Sequence, residues 1–301
     1  MKKRTLALML SAALCVGMLA GCGGGTQGST ETPDTNSPSA ETPAGEETPA
    51  GEEPAEISGT VNTDGSTSMA DVMAAFQESF SGLYPDVTVN YSGTGSGSGI
   101  TNALAGTVDI GLSSRALTDE EKAEGAVENI VALDGVAIVV NPENTVTSLT
   151  VDQIAQIYKG EVTNWSELGG ADAPIAVIGR DAASGTRGAF EEIVGVEDAC
   201  KYTNEYESTG EVIGSVAGNP NAIGYASLSA VDESVVAVEV NGVAPSEATV
   251  ADGTYEIQRP FVMVTKEGTE LSPAAQAFLE WAMSADAADE VEAAGCVSPN
   301  A

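Results

Sequence analysis

Val87-Thr-Val-Asn-Tyr-Ser-Gly-Thr-Gly-Ser-Gly-Ser-Gly-Ile-Thr-Asn-Ala-Leu-Ala-Gly-Thr-Val-Asp-Ile-Gly-Leu112 is the stretch that decides the fold. Val87–Tyr91 alternates β-branched and polar residues and reads as a strand. Ser92–Gly99 is a Gly/Ser loop, Ile100–Ala105 a short helix, and Val108–Leu112 a second strand. Strand, loop, helix and strand in immediate succession argue an α/β fold with mainly parallel sheets.

The same rhythm extends in both directions. Upstream, Gly59–Thr63 is a strand and Asp64-Gly-Ser-Thr-Ser68 a loop rich in N-cap residues. Met69, Val72, Met73, Phe76 and Phe80 then recur at helical spacing. Downstream, Ile130–Leu133 and Val136–Val140 are β-rich runs separated by Asp134-Gly135, and Thr150–Tyr158 is a capped helix. Ile175–Gly179 is a strand that leads through the loop Asp181–Thr186 into a helix ending near Ile193. Glu211–Ala217 and Ser272–Met283 read as helices; Ala222–Tyr225, Val235–Val240, Tyr255–Ile257 and Phe261–Thr265 read as β elements. Val136–Val140 and Phe261–Thr265 are the expected crossings between two lobes. The first lobe takes about 57–140 and 260–301, the second about 141–259.

The N-terminus has a different texture. Met1–Arg4 is basic, and Leu6–Met18 is apolar but too short to span a bilayer comfortably. Leu19-Ala20-Gly21-Cys22 closes this segment and resembles the lipobox of bacterial lipoproteins. The resemblance implies a signal segment over 1–22, lipidation of Cys22 and anchoring at the extracytoplasmic face of the cell membrane. Residues 23–56 are Pro, Thr, Gly, Ser, Ala and Glu in low-complexity repeats that cannot form a core. At ~3.1 Å per residue, such an acidic tether reaches on the order of 100 Å. Cys200 and Cys296 are the remaining thiols after Cys15 and Cys22, and the expectation is that they stay separate.

Composition narrows the chemistry. The 301 residues carry 45 acidic and 11 basic side chains, no histidine, and a formal charge of −34. A polyanion of this kind is repelled by a phosphate backbone, so nucleic acid is not an expected partner. Without histidine there is no Ser-His-Asp or Cys-His catalysis and no His-ligated zinc. No cofactor, metal or catalytic residue is expected.

Three loops share one chemistry: Asp64–Ser68, Gly93–Gly99 and Ser184-Gly-Thr-Arg187 each follow an expected strand and open a helix. In open α/β sheets such loops lie at the carboxyl edge, where ligands bind. Helix N-termini present free N–H groups to anions, hydroxyls add donors, and glycine allows close approach. One loop alone would be a plain cap; three, with arginines beside them, favour an oxyanion. The Gly-rich loop has no lysine after its last glycine and is not a phosphate loop of the Walker type. Arg115 follows Leu112-Ser-Ser114, and Arg180 and Arg187 bracket Ser184–Thr186. A guanidinium fork suits oxyanions, with an ordinary salt bridge as the alternative for each, least so for Arg180. Arg259, before Pro260, reads as structural.

Gly65–Met69, Tyr91–Gly99, Val108–Arg115, Leu133–Pro142, Gly160–Gly170, Gly179–Arg187 and Ala222–Leu228 together resemble the PstS-type phosphate-binding lipoproteins of ABC phosphate importers. These belong to the type 2 periplasmic-binding-protein-like superfamily. The resemblance covers essentially all of 57–301. It implies two α/β lobes on a two-strand hinge, a monomer that is not an enzyme, inorganic phosphate as ligand and a membrane permease as partner. Thr67 and Ser68 match the first-loop positions and Ser96 the Gly-loop serine. Arg180, Ser184, Gly185 and Thr186 match the second-lobe clamp. One position departs: where one branch of the family carries an aspartate that accepts the phosphate proton, this chain has Ser114, followed by Arg115. Both are kept as binding candidates. Asp134 is the candidate replacement carboxylate, with Asp109 or a plain turn role for Asp134 as alternatives. Another oxyanion such as sulfate, molybdate or tungstate is the main rival ligand; a secreted phosphatase and a non-binding surface lipoprotein are more distant readings. Gly160–Gly170, with Trp165, reads as a surface turn.

Overall fold

The computed structural model describes residues 57–299. The expected signal segment 1–22, the lipidation site Cys22 and the tether 23–56 lie outside the described residues.

The chain begins with β1 (Gly59–Gly65), α1 (Ala70–Leu83), β2 (Val87–Gly93), α2 (Ser96–Ala105), β3 (Ile110–Ser113) and α3 (Asp119–Ala123). A long strand, β4 (Ala126–Val140), leads into β5 (Ser148–Leu149), α4 (Val151–Tyr158), β6 (Ala176–Arg180), α5 (Gly185–Val194), β7 (Asn204–Tyr206) and α6 (Thr209–Ala217). Then come β8 (Ala222–Ser227), β9 (Val236–Ala237), β10 (Glu239–Val240), α7 (Glu247–Ala251), β11 (Gln258–Lys266), α8 (Pro273–Ala282) and α9 (Ala288–Ala293).

The main sheet runs β2-β1-β3-β11-β4-β8-β6-β7, with β9 also on β4. β1 lies parallel to β2 and β3, and β6 parallel to β7 and β8. The expected parallel character therefore holds within each half. The middle differs: β11 is antiparallel to β3 and β4, and β4 antiparallel to β8. Strands that carry a chain out of one half and back must run in opposite directions.

The two largest apolar cores flank this middle. In the first, Phe80 meets Phe278 edge-on at 5.1 Å and Phe76 meets Trp281 at 5.3 Å, which fixes α1 against α8. In the second, Phe190 stacks on Tyr225 at 4.2 Å beside buried Ile138 and Tyr158. Each aromatic side chain so buried contributes about 1.5–3 kcal/mol. Val136, Ile138 and Val140 pack into this second core, whereas a lobe boundary at 140 assigns them to the first. The two β runs expected on either side of Asp134-Gly135 form one continuous strand, because β11 pairs with the segment before Val136 and β8 with the segment after it.

The Gly-rich loop is shorter than expected: α2 begins at Ser96 and contains Gly97 and Gly99. Tertiary fit overrides the poor helix propensity of glycine here. A Cβ on Gly99 would lie 2.4 Å from the Asp64 carbonyl oxygen, so only glycine lets α2 nest against β1. Gly65, at φ +140°, is equally constrained, with a notional Cβ 2.2 Å from the Leu112 carbonyl oxygen. The Gly160–Gly170 segment is more than a surface turn. Trp165 is buried, and its indole N–H donates to the Asn221 carbonyl at 2.9 Å, pinning the segment to the second lobe. Cys200 and Cys296 are separate free thiols.

Candidate functional site

The carboxyl ends of β1, β2, β3, β6 and β7 deliver five short connections to one place between the two cores. After β1, Ser66 caps a tight turn by accepting from the Ser68 N–H, which sets Thr67 and Ser68 at the edge. After β2, Ser96 is the first residue of α2. Ser114 follows β3, Arg180 ends β6, and Ser184 caps α5 by accepting from the Arg187 N–H. After β7, Ser208 and Glu211 form a capping box that places Thr209 at the start of α6.

These elements bring six hydroxyls together across the cleft. Ser68 Oγ lies 2.8 Å from Thr186 Oγ1 and 3.0 Å from Thr209 Oγ1. Thr67 Oγ1 is 3.3 Å from Thr209 Oγ1. Ser114 Oγ is 3.4 Å from Thr186 Oγ1 and 3.3 Å from Ser96 Oγ. Ser68, Ser96, Ser114, Thr186 and Thr209 are all buried. Gly185 sits so close to the opposite wall that a Cβ would meet Ser96 Oγ at 2.3 Å.

Arg180 supplies charge. Its Nη1 donates to Thr209 Oγ1 at 3.1 Å, Nη2 to the Glu207 carbonyl at 2.8 Å and Nε to the Tyr206 carbonyl at 3.3 Å. These partners are neutral oxygens, so they hold the guanidinium plane without cancelling its charge. The Tyr225 hydroxyl accepts from the Arg180 backbone N–H at 3.0 Å and steadies the strand end. Burial pulls the Arg180 pKa down, with the neighbouring Asp181 carboxylate opposing it. A guanidinium remains protonated under such shifts. Because arginine only donates, Thr209 Oγ1 must accept from it and turn its own hydrogen toward the ring. Ser96 Oγ likewise accepts from the Ser114 N–H at 3.1 Å.

Thr67, Ser68, Ser96, Ser114, Arg180, Gly185 and Thr186, singled out from sequence, thus converge, while Ser184 serves as the α5 cap beside them. Arg115 does not join them. Its two terminal nitrogens reach both oxygens of Glu121, at 2.8 and 2.7 Å, so the fork is already filled by a carboxylate. Arg187 is similarly committed to Glu191 and Glu205. Asp134 is displaced from its expected place as a proton acceptor. Its Oδ2 accepts from Ser227 Oγ at 2.7 Å and from Arg259 Nη2 at 2.9 Å, and it reaches the ring through that arginine. Asp109 instead accepts from the Asn62 backbone N–H at 2.7 Å, a structural tie between the middle of β1 and the residue before β3.

Sequence reasoning missed two members. Thr209 had a signal, since Ser208-Thr-Gly-Glu211 is a fourth hydroxyl loop before a helix. Arg259 also had one, a charged residue entering the apolar run Phe261–Val264, but its partners are distant in sequence.

Residues 48–286 match the family described as a PBP superfamily domain. The phosphate-binding protein PstS of Bacillus subtilis (strain 168) is 34% identical over 292 residues, which is 95% of this chain and 91% of the relative. The chain belongs to the PstS-type family of the PBP superfamily. Solved structures of the family agree. A Clostridium perfringens protein assigned as a phosphate ABC transporter substrate-binding protein, solved with bound phosphate, is 41% identical. Its TM-score is 0.77, over 80% of this chain and 99% of that one. An ABC-type phosphate transport receptor from Vibrio cholerae is 34% identical, with a TM-score of 0.67, over 79% of this chain and 100% of that one. The family's two-lobed α/β architecture is the fold described above. Among the described residues, no helix is long and apolar enough to cross a membrane.

Proposed function

We propose that this chain captures inorganic phosphate between its lobes and hands it to an ABC importer in the membrane. The single observation that carries this reading is the buried run of hydroxyls with Arg180 donating to its Thr209 member, a guanidinium whose charge no hydrogen-bonded carboxylate cancels. Thr67, Ser68, Ser96, Ser114, Thr186 and Thr209 replace the hydration shell of the ion. The N-terminal ends of α5 and α6 add backbone donors at Gly185 and Thr209. The names of the PstS-type relatives support phosphate as the ion. Capture and release make and break no covalent bond, so no nucleophile or general base is required. The lobes divide near the middle of β4 and the start of β11 and close as rigid bodies when the ion binds. The chain acts as a monomer, exported and tethered through a lipid on Cys22, with 23–56 as the spacer.

Calorimetric titration of phosphate-stripped protein with phosphate and with sulfate tests the reading. Trp165 and Trp281 sit in the two cores, so heat is a more direct readout than indole emission. Phosphate is expected to bind more tightly than sulfate; the reverse order would reject phosphate as the ligand.

A further inference from the structure

Arg259 stands at the crossing where β4 exchanges β11 for β8. It lies directly opposite Asp134 in the β4–β11 register, two residues before the β4–β8 pairing begins at Val136. Both side chains are buried, and Nη2 meets Asp134 Oδ2 at 2.9 Å. Asp134 is held from the other side by Ser227 Oγ at 2.7 Å. Burial pushes the Asp134 carboxyl up and the Arg259 guanidinium down, and each charge opposes the shift of the other. From this fixed base Nη1 donates to the Ser114 carbonyl at 2.6 Å and to Thr186 Oγ1 at 3.0 Å. The guanidinium also lies over the Phe261 ring at 5.1 Å, and its Nε is buried without a protein acceptor.

These contacts differ in what lobe motion does to them. Asp134 is on the neighbouring strand, and Ser114 follows β3, which also pairs with β11. Both stay with Arg259 when the lobes part. Thr186 belongs to α5 of the second lobe, so closure alone brings it to Nη1. Arginine has no acceptor, so Thr186 Oγ1 must accept from it and point its own hydrogen elsewhere. In the closed ring that hydrogen faces Ser68 or Ser114.

We propose that Arg259 is a positioning residue of the anion site: held at the hinge by Asp134, it meets Thr186 on closure and fixes that hydroxyl as a donor to the ion. Closing the cleft and orienting the donor are then one event. Asp134 serves the site by holding this arginine rather than by touching the ion. The proposal rests on the phosphate-capture reading.

The test is a double-mutant cycle of Arg259→Lys and Thr186→Val, read by calorimetry with inorganic phosphate and by small-angle scattering with and without phosphate. Lysine keeps the charge but cannot span Asp134, Ser114 and Thr186 at once. Each single variant is expected to lose about tenfold or more in phosphate affinity. The double variant should lose little beyond the worse single, because the two residues act through one hydrogen bond. Phosphate should compact the parent protein fully and Arg259→Lys only in part. Should Arg259→Lys fail to fold, the neutral pair Asp134→Asn with Arg259→Gln, which strands no buried charge, replaces it in the cycle. Parent-like affinity and compaction in the Arg259 variant, or losses that multiply in the cycle, would overturn the proposal while leaving phosphate capture intact. A parent protein that binds no phosphate would overturn both.

Discussion

Arg180→Ala is expected to weaken phosphate binding by about 2–5 kcal/mol, roughly 30- to 5,000-fold, with little change in the fold of either lobe. Two losses add. The ion would enter a buried site without the Arg180 charge, which no hydrogen-bonded carboxylate occupies, in a place where attraction is poorly screened. Thr209 Oγ1 would also lose the donor that turns its hydrogen toward the ring. Arg180→Lys should recover only part of the loss. A lysine supplies charge but not the fork that reaches Thr209 and the carbonyls of Tyr206 and Glu207 together. Calorimetry gives the affinity, and thermal melting without phosphate controls for folding. Affinity within about threefold of the parent would place Arg180 outside the binding site.

Gly185→Ala should act through geometry alone. The added Cβ would lie 2.3 Å from Ser96 Oγ, 2.8 Å from Ser96 Cβ and 3.0 Å from Ser114 Oγ. The hydroxyls can rotate away, but Ser96 Cβ, at the first residue of α2, cannot. Relief comes most cheaply from parting the lobes, since Gly185 and Ser96 stand on opposite walls. Overpacking costs about 1–3 kcal/mol. Here that cost falls on the closed state, so the competent population shrinks and apparent affinity falls about 5- to 150-fold. Melting without phosphate should stay near that of the parent, and phosphate should compact the variant less. A variant that binds and compacts like the parent would show that the cleft closes less tightly than the Gly185–Ser96 approach implies.

The alternation of strands and helices was legible because each element shows its own period over a few residues. Met69 to Phe80 marks α1, and Val87–Tyr91 marks β2. Hydroxyl loops before helices were legible for the same local reason, and they located most of the ring. What sequence reading could not supply was partnership across long separations. Arg259 meets Asp134 across 125 positions and Thr186 across 73, and although its place before the apolar run Phe261–Val264 marks it as unusual, nothing local names those partners. Arg115 illustrates the converse: its place beside Ser114 suggested a ligand contact, but Glu121, six residues on, captures it. The start of α2 was misjudged because glycine propensity is a local property, whereas Gly99 is required by the backbone of β1.

The charge of −34 takes a particular meaning from this site. Long-range fields would repel an anion, so attraction must act at short range inside the closed cleft. A crystal structure of the phosphate-saturated protein tests that claim most directly. The account predicts phosphate oxygens within about 2.7–3.2 Å of the Arg180 guanidinium and of the Ser68, Thr186 and Thr209 hydroxyls, inserted where those hydroxyls otherwise meet one another. Phosphate bound elsewhere, with the Ser68–Thr186 contact intact, would contradict it.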